Sequence, residues 1–156
     1  MKRSVLFVCS ANICRSPMAM GLLRARVSQS VDNWRIESAG VWAEEGHSAA
    51  FYTRRVLEVR GIGVSEHSSR QVTPDLMREF DLILVMERNH KEALRAAFPE
   101  QSNRIYMLSE MVGRKDDIVD PIGGPRADYE DTAQEIDAIL SEGFENILRL
   151  TGNLVV

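Results

Sequence analysis

An α/β fold, with a mostly parallel sheet covered by helices on both faces, is what the sequence predicts, and three observations predict it. Runs of β-branched and aromatic residues alternate along the chain with segments of helical period. The clearest of these runs, residues 5–8 and 81–86, show no polar alternation, as expected of strands buried on both sides. And 156 residues, 44% hydrophobic and 27% charged, suit one domain, residues 1–156, whose core needs neither disulfides nor metals.

Met1-Lys2-Arg3 before Ser4-Val5-Leu6-Phe7-Val8 imitates the start of a signal peptide. The apolar run is short and Asn12 and Arg15 soon interrupt it, so residues 5–8 read as the first and central strand. Ser16-Pro17 then reads as an N-cap and first helical position, followed by Met18, Leu22, Leu23 and Val27 at helical spacing. Residues 9–15 therefore form a loop between the carboxyl end of a strand and the N-terminus of a helix. Residues 35–39 read as a second strand closed by Gly40, and a helix from about Ser48 carries Phe51, Val56 and Leu57 to a stop at Arg60-Gly61. Thr73-Pro74-Asp75 starts a short helix reaching Phe80; residues 81–86 are a strand, 89–97 a helix ended by Pro99, and 105–108 a fourth strand. The last helix covers about residues 129–150, with Ala133, Ile136, Leu140, Phe144 and Ile147 on one face and acidic Asp128, Glu130 and Asp131 at its positive end. A sheet of this kind binds ligands at its strands' carboxyl ends.

Composition excludes several classes of function. A net charge of -4 argues against nucleic acid, whose binding relies on clustered Lys and Arg. No stretch approaches the ~20 apolar residues that cross a bilayer, so no membrane association is expected. Only two cysteines occur, Cys9 and Cys14, too close together to staple a fold; they point to a reducing, cytoplasmic compartment. His47, His67 and His90 show no ligand spacing, and no metal site is expected. Nothing selects an oligomeric state.

The chemistry concentrates in Cys9-Ser10-Ala11-Asn12-Ile13-Cys14-Arg15-Ser16, where a thiol and a guanidinium stand six positions apart around a loop that opens into a helix. A helix N-terminus and a nearby cation favour a cysteine's thiolate, which makes Cys9 a candidate nucleophile. The N–H groups of Ser10, Ala11, Asn12, Ile13 and Cys14 suit three phosphoryl oxygens, and Arg15 can bind two of them in its planar fork. Ser16 is placed to donate a hydrogen bond to the thiolate, aiding its formation and its departure from phosphorus. The plain alternative is a buried structural cysteine before an ordinary helix; the position of the loop after a buried strand and before Ser-Pro favours catalysis.

On these residues the chain resembles the low-molecular-weight protein tyrosine phosphatases. The resemblance extends through Asp32-Asn33-Trp34, Ser38-Ala39-Gly40, His67-Ser68-Ser69-Arg70, Leu84-Val85-Met86 and Asp120-Pro121, in family order along nearly the whole chain. It implies a three-layer α/β/α fold with a central four-stranded parallel sheet, the phosphate loop between the first strand and first helix, and no cofactor. It implies a phosphorylated protein or peptide substrate, with a phosphocysteine on Cys9 as intermediate. It supplies Asp120 as general acid and then base, where Asp-Pro alone would read as a turn. Asn12, Ser38 and His67 match positions that brace the phosphate loop, and Cys14 matches a second cysteine that implies a reversible, protective disulfide with Cys9.

Two departures bear on the substrate. Ala11 stands where many members have Gly, so a left-handed backbone there would be strained. Ile122 follows Asp-Pro where phosphotyrosine-specific members place an aromatic, and Asp120-Pro121-Ile122-Gly123-Gly124 is similar to the protein arginine phosphatase branch. Ile13 favours phosphotyrosine, because an apolar side chain suits a phenyl ring and disfavours a guanidinium leaving group. Trp42, Phe51 and Tyr52 are candidates to wall the pocket, but aromatics at such positions are more often core, and they are assigned no site role. Arsenate reduction by cysteine relay lacks its further cysteines; a noncatalytic phosphate- or partner-binding module is the alternative from another class.

Overall fold

The computed structural model of the chain describes residues 2–152. Four parallel strands, β1 (Arg3–Cys9), β2 (Trp34–Gly40), β3 (Leu82–Val85) and β4 (Ile105–Met107), form one sheet in the order β2-β1-β3-β4. The side chains of β1 alternate between two cores, as the period of a strand requires. Val5, Phe7 and Cys9 join Leu82 and Leu84 under helices α1 (Arg15–Arg26), α2 (Phe51–Glu58), α5 (Arg126–Glu142) and α6 (Phe144–Thr151). Leu6 and Val8 join Ile83 and Val85 against α3 (Pro74–Arg78) and α4 (Arg88–Ala97) on the other face. Every side chain of β3 is fully buried, which is why its sequence carries no polar alternation.

Several element bounds differ from the sequence expectation for local reasons. The third strand begins at Leu82 because Asp81 is spent on Ser4: the Ser4 N–H donates to Asp81 Oδ2 at 3.0 Å and the Asp81 N–H to Ser4 Oγ at 2.8 Å. The fourth strand ends at Met107, where a 3-10 turn (Leu108–Val112) takes over. Further 3-10 turns at Ser28–Asn33 and Pro99–Arg104 lead into β2 and β4. The second helix starts at Phe51 instead of near Ser48, since the Ala50 N–H is held by the Ile13 carbonyl at 2.7 Å; Phe51 is 59% exposed and not part of a buried face. The single last helix is two, α5 and α6, divided at Gly143. A Cβ on Gly143 would lie 2.7 Å from Met111 Cβ and 2.9 Å from the Met111 carbonyl, so the chain passes close over the 3-10 turn there.

The segment after α2 returns along the free edge of β2. The Gly40 N–H donates to the Arg70 carbonyl at 2.9 Å and the Val72 N–H to the Gly40 carbonyl at 3.0 Å, a short extension of the sheet. Further back along this edge, Arg24 Nε donates to the Ile36 carbonyl at 3.0 Å and Arg70 Nε to the Ser38 carbonyl at 3.1 Å. The carboxyl end of β2 is thereby held beside that of β1, from which the loop leads into α1.

Candidate active site

Residues 9–15 leave β1 and enter α1. The helix starts at Arg15, one position before the expected cap: Cys14 is the N-cap and gives no side-chain bond. Ser16 is freed for another use. Its Oγ accepts from Asn12 Nδ2 at 2.8 Å and lies 3.0 Å from Cys9 Sγ, with the Ala39 carbonyl farther away at 3.4 Å. With a lone pair taken by Asn12, the single Ser16 hydrogen has Cys9 as its nearer acceptor, the arrangement that stabilises a thiolate.

Gly40 lets β2 run close beside the loop. A Cβ on it would stand 2.6 Å from the Ser10 carbonyl and 3.1 Å from the Asn12 nitrogen, so a side chain would push the loop away. The Val41 and Trp42 N–H groups bond the Cys9 and Ser10 carbonyls at 3.0 and 2.9 Å. The loop carbonyls are thus drawn outward. Among the described residues, no N–H from Ser10 through Cys14 donates to a protein acceptor, leaving a run of donors ahead of a helix N-terminus.

The left-handed residue of the loop is Asn12, with φ of 61°, and not Ala11. The strain expected at Ala11 is therefore absent, and asparagine is among the residues that tolerate this region best. Asn12 is also braced on every polar atom of its side chain and at its carbonyl. Its Nδ2 donates to Ser16 Oγ and, at 2.9 Å, to Ser38 Oγ; its Oδ1 accepts from the Arg70 N–H at 3.0 Å; its carbonyl accepts from His67 Nε2 at 2.7 Å. Burial pushes the His67 pKa below its ordinary value, and nearby Arg24 and Arg70 add to this against the Asn12 bond.

Arg15 is 1% exposed. Its Nη1 donates to Glu87 Oε2 and to the Ile118 carbonyl, both at 2.6 Å, and its Nη2 lies 3.4 Å from Ser10 Oγ and from Asp120 Oδ2. Its Nε is buried without a partner. A buried guanidinium N–H left unbonded loses its hydration for nothing, unless it is directed at a ligand. Asp120 is partly exposed and its Oδ1 accepts from the Ile122 N–H at 3.1 Å, which puts the carboxylate at the mouth of the loop beside Arg15.

Cys14, the N-cap of α1, is buried. Its Sγ lies 3.7 Å from Tyr129 Oη, and burial pushes its thiol up to about 11, against the opposing Tyr129 hydrogen bond. Ile13 packs its side chain against the larger core. Trp42, Phe51 and Tyr52, expected in the core, are exposed, Trp42 to 86%, together with Val119 and Ile122. The Trp42 N–H is bonded to the Ser10 carbonyl, Phe51 follows Ala50, whose N–H bonds the Ile13 carbonyl, and Val119 and Ile122 flank Asp120-Pro121.

Glu87 and His90 were not foreseen as site residues. Glu87 lies 72 positions from Arg15, and no spacing announces such a pair. A signal for His90 existed: it sits three residues after Glu87 at the start of α4, where the two form a reciprocal cap. Among the described residues, no three His, Cys, Asp or Glu side chains gather to hold a metal ion.

Comparison with known proteins finds relatives of the same fold. Residues 4–150 match the family described as low molecular weight phosphotyrosine protein phosphatase. The chain is 34% identical to the protein-arginine-phosphatase of Geobacillus stearothermophilus over 92% of its own length and 95% of that protein's. It is 36% identical to the probable low molecular weight protein-tyrosine-phosphatase EpsP of Ralstonia nicotianae, over 87% of this chain and 90% of that one. The solved low molecular weight protein tyrosine phosphatase of T. tengcongensis superposes with a TM-score of 0.87 at 36% identity, covering 92% of this chain and 98% of that one.

Proposed function

Since the chain belongs to the low molecular weight phosphotyrosine protein phosphatase family, an enzyme family, we propose that it hydrolyses phosphotyrosine in proteins through a phosphocysteine on Cys9. The observation that carries this reading is the buried, unpartnered Arg15 Nε beside a loop whose N–H groups from Ser10 to Cys14 are free. Together they form a cradle of fixed donors for a phosphoryl group, with the Cys9 sulfur at its base.

The Cys9 thiolate attacks phosphorus as the bond from phosphorus to the phenolic oxygen breaks, and the Asp120 carboxyl gives its proton to the leaving oxygen. Asp120, now a carboxylate, takes a proton from the water that attacks phosphorus. The phosphorus–sulfur bond breaks and the thiolate returns to the Ser16 hydroxyl. Arg15 and the loop N–H groups hold the equatorial oxygens through both steps. Asn12, Ser38 and His67 keep the loop in shape through the bonds described above.

The exposed apolar side chains near the loop in the chain, Trp42, Phe51 and Ile122, and the apolar, only partly buried Ile13 within it support a phenyl ring as the leaving group. A second reading, hydrolysis of phosphoarginine, draws support from the Geobacillus relative and from the Pro121-Ile122-Gly123-Gly124 segment. Among the described residues, no helix is long and apolar enough to cross a membrane. Both cysteines are free thiols, which suits a cytoplasmic protein. The decisive test compares kcat/KM for phosphotyrosine and phosphoarginine peptides, in reducing buffer without metal, for wild type and Cys9→Ser. Phosphotyrosine preference with a dead Cys9→Ser supports the reading; phosphoarginine preference reassigns the substrate; turnover that survives Cys9→Ser removes the mechanism.

A further inference from the structure

Outside the braces already described, one contact to the loop comes from a helix on the opposite face of the sheet. Ser10 Oγ lies 2.9 Å from His90 Nε2, and His90 is 4% exposed. The ring's other nitrogen, Nδ1, accepts from the Glu87 N–H at 3.1 Å. An accepting Nδ1 is unprotonated, so in the neutral ring the proton is on Nε2 and is donated to Ser10. Burial holds the His90 pKa below its ordinary value, which favours that neutral ring. Arg15 Nη2, at 3.4 Å, is a second donor to the same oxygen.

Both lone pairs of the Ser10 hydroxyl are thus engaged, and its own hydrogen points elsewhere. We propose that His90 is a positioning residue that turns the Ser10 hydroxyl into a donor for the bound phosphoryl group, adding a side-chain bond to the backbone cradle. The inference rests on the phosphatase reading of the loop. The hydroxyl is set before the substrate arrives, so it bonds the phosphoryl oxygens in the ground state and in the transition state alike. Its loss acts on KM and leaves kcat nearly unchanged.

The test uses steady-state kinetics and inhibition by inorganic phosphate. Ser10→Ala is expected to raise KM and the phosphate inhibition constant about tenfold, the scale of one hydrogen bond to a charged group, with kcat within about twofold. Ser10→Thr keeps the hydroxyl and should raise both constants less than Ser10→Ala does. His90→Asn retains a short acceptor for the Glu87 N–H, and so the start of α4, but does not reach Ser10; it should raise both constants by a similar factor. The double variant Ser10→Ala/His90→Asn should be no worse than Ser10→Ala alone. Additive effects, or a fall in kcat with KM unchanged, would overturn the proposal. A wild-type protein that turns over no phosphopeptide would instead sink the phosphatase reading, a distinguishable failure.

Discussion

Glu87 Oε2 and Arg15 Nη1 lie 2.6 Å apart, a short ion pair between the first turns of α4 and α1. The guanidinium is almost wholly buried and the carboxylate about a quarter exposed, so the pair both neutralises a buried cation and fixes the plane of its fork. Removing the carboxylate strands the cation. Glu87→Ala is expected to destabilise the fold by about 3 kcal/mol in urea unfolding and to lower kcat/KM at least tenfold, with Glu87→Gln milder on both counts. Values within about twofold of wild type for Glu87→Ala would remove the role assigned to the pair.

The two cysteines should differ sharply in reactivity. Cys14 is held as a thiol by burial, at about 11, whereas Cys9 lies against the Ser16 hydroxyl in the donor loop. At neutral pH, iodoacetate should label Cys9 first and inorganic phosphate should protect it, as peptide mass mapping can show. Labelling of Cys14 ahead of Cys9 would contradict this assignment.

Asn12 separates backbone strain from hydrogen bonding. Asn12→Gly removes its side-chain bonds to Ser16, Ser38 and the Arg70 N–H but accepts the positive φ; Asn12→Ala loses the same bonds and adds strain. Both should be less stable than wild type, with Asn12→Ala the worse by about 1 kcal/mol. Equal stability of the two variants would mean that the loop relaxes out of the left-handed region.

Stability should fall on mild acidification. His67 and His90 both have pKa values lowered in the fold, mainly by burial, so the unfolded chain binds more protons once pH drops below the ordinary histidine value near ~6.5. The midpoint of unfolding should therefore decrease from pH 7.5 towards pH 5, levelling only below the depressed values. Further down, burial opposes ionisation of Glu37, yet bonds from Arg35 and Arg70 outweigh it and leave its pKa lowered; that stabilisation is lost as pH passes through the lowered value. His67→Asn should flatten the first part of the profile, and an unchanged slope would refute the assignment.

Local signals carried most of the fold. The unalternating runs in β1 and β3, the Ser-Pro after the loop and the Thr73-Pro74 start of α3 are short-range features, and Thr73 Oγ1 does accept from the Leu76 N–H at 3.1 Å. The failures share a cause: they depend on side-chain contacts that no local pattern announces. The helix expected over residues 129–150 runs through Gly143 without a break until Met111 is seen beneath it. Ser16 reads as a cap until Asn12 and Cys9 claim its hydroxyl. Aromatics at positions 42, 51 and 52 read as core because large apolar side chains favour burial, yet all three are exposed. Within the site, the thiol and guanidinium were legible from one loop; Asp120 required the family resemblance, and Glu87 left no trace.

The guanidinium groups laid along β2 have a consequence for the protein in a crowded cell. A sheet margin with free carbonyls is a template on which another chain can polymerise, and here the acceptors of Ile36 and Ser38 are already occupied by Arg24 and Arg70. At the opposite margin β4 is only three residues long, and Arg95 lies 3.4 Å from the Ile105 carbonyl. An invading strand would have to evict charged side chains at either border, which protects the folded enzyme against amyloid-like stacking.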